Sequence, residues 1–190
     1  MKNSENFLAT VGTQTYRLLL SGLVLISSFG CDLDEVPEDD TTPPGFLFSI
    51  SGPGGSYSLD HEDDFANLQL NIKAGGTYDF SLLGTDAGGV SNATFQLGTY
   101  EDFEIYNIEP EEVINEISGI SRFLSLSGDR DDAITGLSLN GEMDVLFFDD
   151  TEMKSADFYF SVIDFNSNTT THRLTVLLVT DDDQLGLIEL

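Results

Sequence analysis

Beyond residue 44, apolar and polar positions alternate in short runs with a period of two. This is the pattern of strands that bury one face and wet the other. Phe46, Phe48 and Ile50 share one side of the first run, and Leu68, Leu70 and Ile72 alternate with Gln69 and Asn71. Tyr78, Phe80 and Leu82 follow, then Thr94–Leu97 and Phe103–Tyr106. Further strand signals lie at Ser121–Ser127, Ile134–Leu139, Val145–Phe148, Asp157–Asp164, His172–Thr180 and Leu185–Leu190. The segments between them carry turn chemistry: Ser51–Gly55, Thr85–Gly89, Gly128-Asp129, Asn140-Gly141, Asp149-Asp150, Asn166–Asn168 and Asp181–Asp183. Asn140-Gly141 is the strongest hairpin signal, because both residues tolerate the left-handed backbone that a two-residue turn requires. The pattern predicts an all-β protein, an antiparallel β-sandwich (or barrel) of about 10–12 short strands.

One stretch breaks the period. In Glu109–Gly119, Pro110 suits a first helical position, Glu111 and Glu112 suit the positive helix end, and Gly119 suits a stop. Val113, Ile114 and Ile117 would share a face, so one short helix is predicted near 110–118. Phe48-Ser49-Ile50, Phe80-Ser81-Leu82 and Phe160-Ser161-Val162 look alike, but their unequal spacing fits shared strand chemistry better than a repeat.

The other apolar run stands at the front. Leu18–Phe29 holds about a dozen mostly apolar residues after Lys2 and Arg17, too short for a membrane span of roughly 20. A basic start, a short apolar core and small residues before a break describe a secretory signal. The break is Ser27-Ser28-Phe29-Gly30-Cys31, with the chain's one cysteine. Gly30-Cys31 resembles the lipobox of bacterial lipoproteins, although Phe29 stands where a small residue is usual. The resemblance implies cleavage before Cys31, a diacylglycerol on its sulfur and an acyl chain on its new amine. The alternative is an ordinary secreted protein cut nearby with Cys31 free. After Cys31 the chain runs through Asp32, Asp34, Glu35, Glu38, Asp39 and Asp40 with three prolines and no base, which reads as a solvated tether. An acidic run straight after the cysteine resembles the tethers of surface-exposed lipoproteins in the Bacteroidetes. The expected organisation is a signal over 1–30, a tether over 31–44 and one sandwich domain over 45–190.

Gly76–Gly89, a strand with aromatic and aliphatic residues running into a Thr-Asp and glycine-rich turn, resembles the last hairpin of bacterial immunoglobulin-like repeats. That likeness implies a sandwich and nothing further. Charge narrows the partners. The chain carries a net charge of −27, and Lys73, Arg122, Arg130, Lys154 and Arg173 are the bases beyond residue 30. Nucleic acid and anionic headgroups are repelled, while a surface rich in carboxylates stays soluble and attracts cations.

Candidate chemistry is sparse. Asp129, Asp131 and Asp132, then Asp149-Asp150, then Asp181, Asp182 and Asp183 sit in turns, and calcium takes six to eight such oxygens. Two of these clusters could share an ion if they met at one end of the sandwich, although Arg130 would oppose the first. None matches a calcium-loop motif. His61 beside Glu62, Asp63 and Asp64 lacks a nearby second histidine for zinc. No Gly-x-Ser-x-Gly surrounds a serine, Gly52–Gly55 lacks the lysine of a phosphate loop, and carboxylate pairs for glycoside hydrolysis are uninformative among so many acids. Tyr57, Tyr100, Tyr106 and Tyr159 could stack on sugar rings, or they could cap strand edges. The expectation is a non-enzymatic, lipid-anchored protein of the cell envelope, on the outer membrane and surface-exposed, with a binding or scaffold role, no cofactor, and an envelope protein or a glycan as partner. The alternatives are a carbohydrate-binding accessory lipoprotein of a glycan uptake system and a glycoside hydrolase using loop carboxylates.

Overall fold

The computed structural model describes residues 36–147 and 154–190. They form twelve strands: β1 (Gly45–Gly52), β2 (Gly55–Asp60), β3 (Leu68–Lys73), β4 (Thr77–Thr85), β5 (Val90–Leu97), β6 (Phe103–Glu109), β7 (Ile114–Ser118), β8 (Ser121–Ser127), β9 (Gly136–Val145), β10 (Lys154–Asp164), β11 (Thr169–Val179) and β12 (Gly186–Glu189). They build two open sheets, one ordered β2-β1-β4-β9-β6 and the other β12-β3-β11-β10-β5-β8-β7. Every pairing is antiparallel except β3 with β11. The architecture is therefore the expected β-sandwich, and not a closed barrel.

The alternation in sequence becomes the two faces of each sheet. Phe46, Phe48 and Ile50 of β1 and Tyr78, Phe80 and Leu82 of β4 are buried, while Ser49 and Ser81 face outward between them. From the opposite sheet come Phe95, Phe158, Phe160 and Leu174. Phe95 is the hub, with ring centroids of Phe48, Phe80, Phe158 and Phe160 at 5.6, 5.1, 5.2 and 5.7 Å. Burying one phenylalanine side chain contributes about 1.5–3 kcal/mol, and aromatic pairs add about 0.5–1.5 kcal/mol each. A core of this size accounts for a fold built without disulfides among its described residues.

Four sequence expectations meet a different structure. The predicted helix near 110–118 is absent. A turn in which Val113 N donates to Pro110 O (3.1 Å) leads into strand β7, and Gly119 (φ 62) opens the two-residue β7–β8 hairpin. A glycine with positive φ ends a helix and makes such a hairpin equally well, so the residue alone does not separate the two. Pairing of β7 with β8 over five positions decided for strand.

Asn140-Gly141 is no hairpin, because β9 runs straight through it. Gly141 is needed there because a Cβ would stand 2.8 Å from the Phe80 ring across the β4–β9 pair. Gly76–Gly89 is likewise not a hairpin. β4 belongs to the five-stranded sheet and β5 to the seven-stranded one, so the turn at 86–89 carries the chain between sheets.

The segment after residue 35 also differs from a solvated tether. Val36 and Pro44 are buried, and the Asn166 amide donates to the carbonyls of Pro37 (2.8 Å) and Asp40 (3.3 Å). The Asn168 amide donates to Asp40 O (3.0 Å), and Thr170 Oγ1 to Pro44 O (2.5 Å). Side chains of the β10–β11 turn and of the start of β11 thus satisfy backbone carbonyls of a segment too polar to order itself.

Candidate functional site

Two features gather polar side chains. The larger is the outer face of the five-stranded sheet. Strand period sends every second residue outward, and antiparallel register lines these residues up across strands. Ser58, Ser49, Ser81 and Asn140 form one row across β2, β1, β4 and β9. Ser56, Ser51, Asp79, Glu142 and Tyr106 form the next.

A bulge in β6 raises one wall. Tyr106 pairs with Glu142 and Glu109 with Asn140, which leaves an extra residue on β6. Asn107 (φ 49) turns its amide onto Glu142 Oε1 at 2.8 Å. The result is an open groove of about 650 Å³ lined by serines, asparagines, Asp79, Glu109 and Glu142, without a lysine or arginine.

Ser49 and Ser58 hydroxyls share a hydrogen bond at 3.0 Å, so each keeps further donor and acceptor capacity for a ligand. Tyr106 closes the row, donating its hydroxyl to Asp144 Oδ1 at 2.9 Å. That bond to a carboxylate, with burial second, raises the Tyr106 pKa. Tyr57 lines the groove from β2, but its ring packs on the core and its hydroxyl donates to Gly54 O (2.6 Å). Tyr159 is held between Asp157 and Arg173 on the opposite sheet, and Tyr100 lies in the short turn before β6. Tyr57 and Tyr106 lie on the edge strands β2 and β6, Tyr100 in a turn and Tyr159 within the interior strand β10, so the four do not assemble into one stacking platform.

The second feature is a carboxylate cluster. Oxygens of Asp40, Asp86 and Asp164 all lie within 4.8 Å of one another. Asp164 is buried and fully engaged, with Oδ1 accepting from Asn166 N and Asn168 N (both 2.8 Å) and Oδ2 from the Asn168 amide (2.5 Å). Asp86 Oδ1 accepts from Gly88 N (2.7 Å). Burial, and then the charges of Asp40 and Asp164, hold the Asp86 carboxyl above its usual range. Three such groups share a proton or attract a cation. Asp86 also borders a shallow depression with His61 and Thr85.

Sequence reasoning named none of these three as a site candidate. They are distant in the chain, and only docking of residues 36–44 beside the turns at 86–89 and 164–169 unites them. The acids it did name lie elsewhere. Asp129 Oδ1 accepts from Asp131 N (2.9 Å), Asp132 follows in the same loop, and Arg130 turns to Phe165 O (3.0 Å). Asp181 Oδ1 accepts from Asp183 N (3.0 Å), and Asp182 pairs with Lys73.

The first loop packs beside the start of β11, through Gly128 N to Ser91 O and Arg130 to Phe165 O, while Asp181–Asp183 follow its far end. Eleven residues of strand span about 35 Å, so these two clusters do not share an ion. Asp149-Asp150 and Cys31 lie outside the described residues.

The fold does unite the two histidines. Both pack on Phe46, His172 with its ring 4.6 Å from Phe65 as well, and burial with the nearby His61 charge lowers the His172 pKa.

No family model and no curated protein matches the sequence. Among solved structures, the chain is similar to a non-cellulosomal cohesin from Archaeoglobus fulgidus, at 10% identity and a TM-score of 0.38, over 70% of this chain and 91% of the cohesin. It is similar to BcpA, the major pilin subunit of Bacillus cereus, at 9% identity and a TM-score of 0.38, over 69% of this chain and 40% of the pilin. It is also similar to a DUF4466 family protein from Parabacteroides merdae, at 12% identity and a TM-score of 0.35, over 67% and 42% of the two chains.

Proposed function

We propose that this is a lipid-anchored protein of the cell envelope, held to the outer membrane through Cys31, whose sandwich binds a hydroxyl-rich ligand without catalysing a reaction on it. The groove across β2, β1, β4 and β9 carries this reading. Its hydroxyls and amides both donate and accept, and its carboxylates accept from ligand hydroxyls. A groove with no base, on a chain of net charge −27, selects against anions. A neutral or amine-bearing glycan fits that chemistry, and the same surface serves an accessory role beside glycan uptake machinery.

Binding is favoured over hydrolysis for a physical reason. Two-carboxylate hydrolysis needs one acid kept protonated by burial. Asp79 and Glu109 are exposed and Glu142 is half-buried, while the carboxyl with the raised pKa, Asp86, belongs to the other end of β4.

The anchor is tested by replacing Cys31 with alanine and following fatty-acid labelling and membrane fractionation. Loss of both is expected, and unchanged labelling would remove the lipoprotein reading. Binding is tested by calorimetric titration with neutral, amine-bearing and uronic oligosaccharides. Saturable binding of the first or second series is expected, weakened by Ser81→Leu with Asn140→Leu. Silence from all three series, or release of a cleaved product, refutes it.

A further inference from the structure

We propose that β7 is a docking edge that accepts an extended, basic segment of another protein as an added strand. β7 ends the seven-stranded sheet, so one row of its backbone donors and acceptors has no partner strand among the described residues. All five of its residues are exposed. Natural edges are blunted by lysine, proline or a bulge. β6 has its bulge at Asn107, whereas β7 is in regular register with β8 over its whole length and carries no lysine.

Apolar residues flank this edge on both sides. Ile114 pairs with Ser125 and Ile117 with Arg122, positions of opposite parity, so the two isoleucines project to opposite faces of the sheet. They are 52% and 56% exposed, and Ile120 in the hairpin turn is 66% exposed. A flat partner surface covers one face. A strand added alongside the backbone edge covers Ile114 on one face and Ile117 on the other, and pairs the free backbone groups at the same time.

Charge selects the occupant. The exposed charges of β7 and its leading turn are Glu111, Glu112 and Glu116. Arg122 is tied inward to Asn115 Oδ1 (2.9 Å) and Ile105 O (3.1 Å). A second copy of this chain, paired antiparallel about the centre of β7, would set Glu116 against Glu116 on a molecule of net charge −27. A segment alternating aliphatic residues with lysine or arginine meets the isoleucines and the glutamates together. This surface is separate from the groove and does not depend on what the groove binds.

The test uses the full chain and a labelled synthetic peptide of alternating valine and lysine. Two control peptides accompany it, one with alternate backbone amides methylated and one with glutamate in place of lysine. Fluorescence anisotropy should show binding that weakens with salt, and neither control should bind. Amide exchange should slow at residues 114–118. Ile114→Lys and Ile117→Lys, on a surface whose change leaves folding intact, should each weaken binding by about tenfold, the loss of one partly buried isoleucine contact. Equal binding of the methylated peptide, protection confined to other strands, no binding at all, or a dimer in solution with β7 protected would each overturn the proposal.

Discussion

Asp86→Asn should make the protein more stable at neutral pH. The wild-type carboxylate stands within 4.8 Å of the carboxylates of Asp40 and Asp164. Two unit charges at that distance repel by about 0.9 kcal/mol in a water-like medium and by about 3.5 kcal/mol at an effective dielectric of 20. Asparagine keeps an oxygen for Gly88 N and offers its amide hydrogens to Asp40. Removing the repulsion should therefore contribute about 1–3 kcal/mol at pH 7, which falls between those limits.

The sign follows from linkage. The Asp86 pKa is raised in the fold above its ordinary 3.8. Stability from its protonated form is present below 3.8 and is lost as pH rises through the raised value. The difference between variant and wild type should open from near zero in acid to its full size at neutral pH. Urea unfolding followed by far-ultraviolet circular dichroism, on both proteins across that range and in chelator, measures it. Comparing the two proteins cancels the titration of acids distant from the cluster, and what remains is the response of Asp86 together with its two neighbours. A variant less stable than wild type at pH 7 would refute the reasoning. It would mean that the Asp86 charge is compensated, not opposed, by its surroundings.

His172 has the opposite sign. Its folded pKa lies below 6.5 because burial, then the His61 charge, disfavours the imidazolium. The unfolded chain takes up that proton first, so wild type should lose stability relative to His172→Gln as pH falls below 6.5; parallel curves would reject it. Gly141→Val should destabilise by about 1–3 kcal/mol, since the new Cβ would meet the buried Phe80 ring. In an unobstructed strand, valine for glycine is favourable, so a raised denaturation midpoint would show that the ring gives way.

Amphipathic alternation by itself determined that the chain is a two-faced β protein, because a period of two has one solution when apolar faces must meet. It placed Phe48, Phe80 and Phe160 in the core and Ser49 and Ser81 outside. Composition determined the charge, and residues 18–31 the expectation of an anchor. Local chemistry was degenerate where one residue type serves two geometries. Gly119 fits a helix stop or a hairpin, and Asn140-Gly141 fits a turn or a strand crossing a large ring. Only the strand pairings chose between them.

The sites needed still more of the tertiary structure. The groove exists because register sets Ser58, Ser49, Ser81 and Asn140 side by side, and register is a relation between strands that no single stretch contains. The Asp40, Asp86 and Asp164 cluster exists because the Asn166 and Asn168 amides hold residues 36–44 against the sandwich. A turn's acids look alike in sequence whether they face water or one another, and contacts between distant segments settle which.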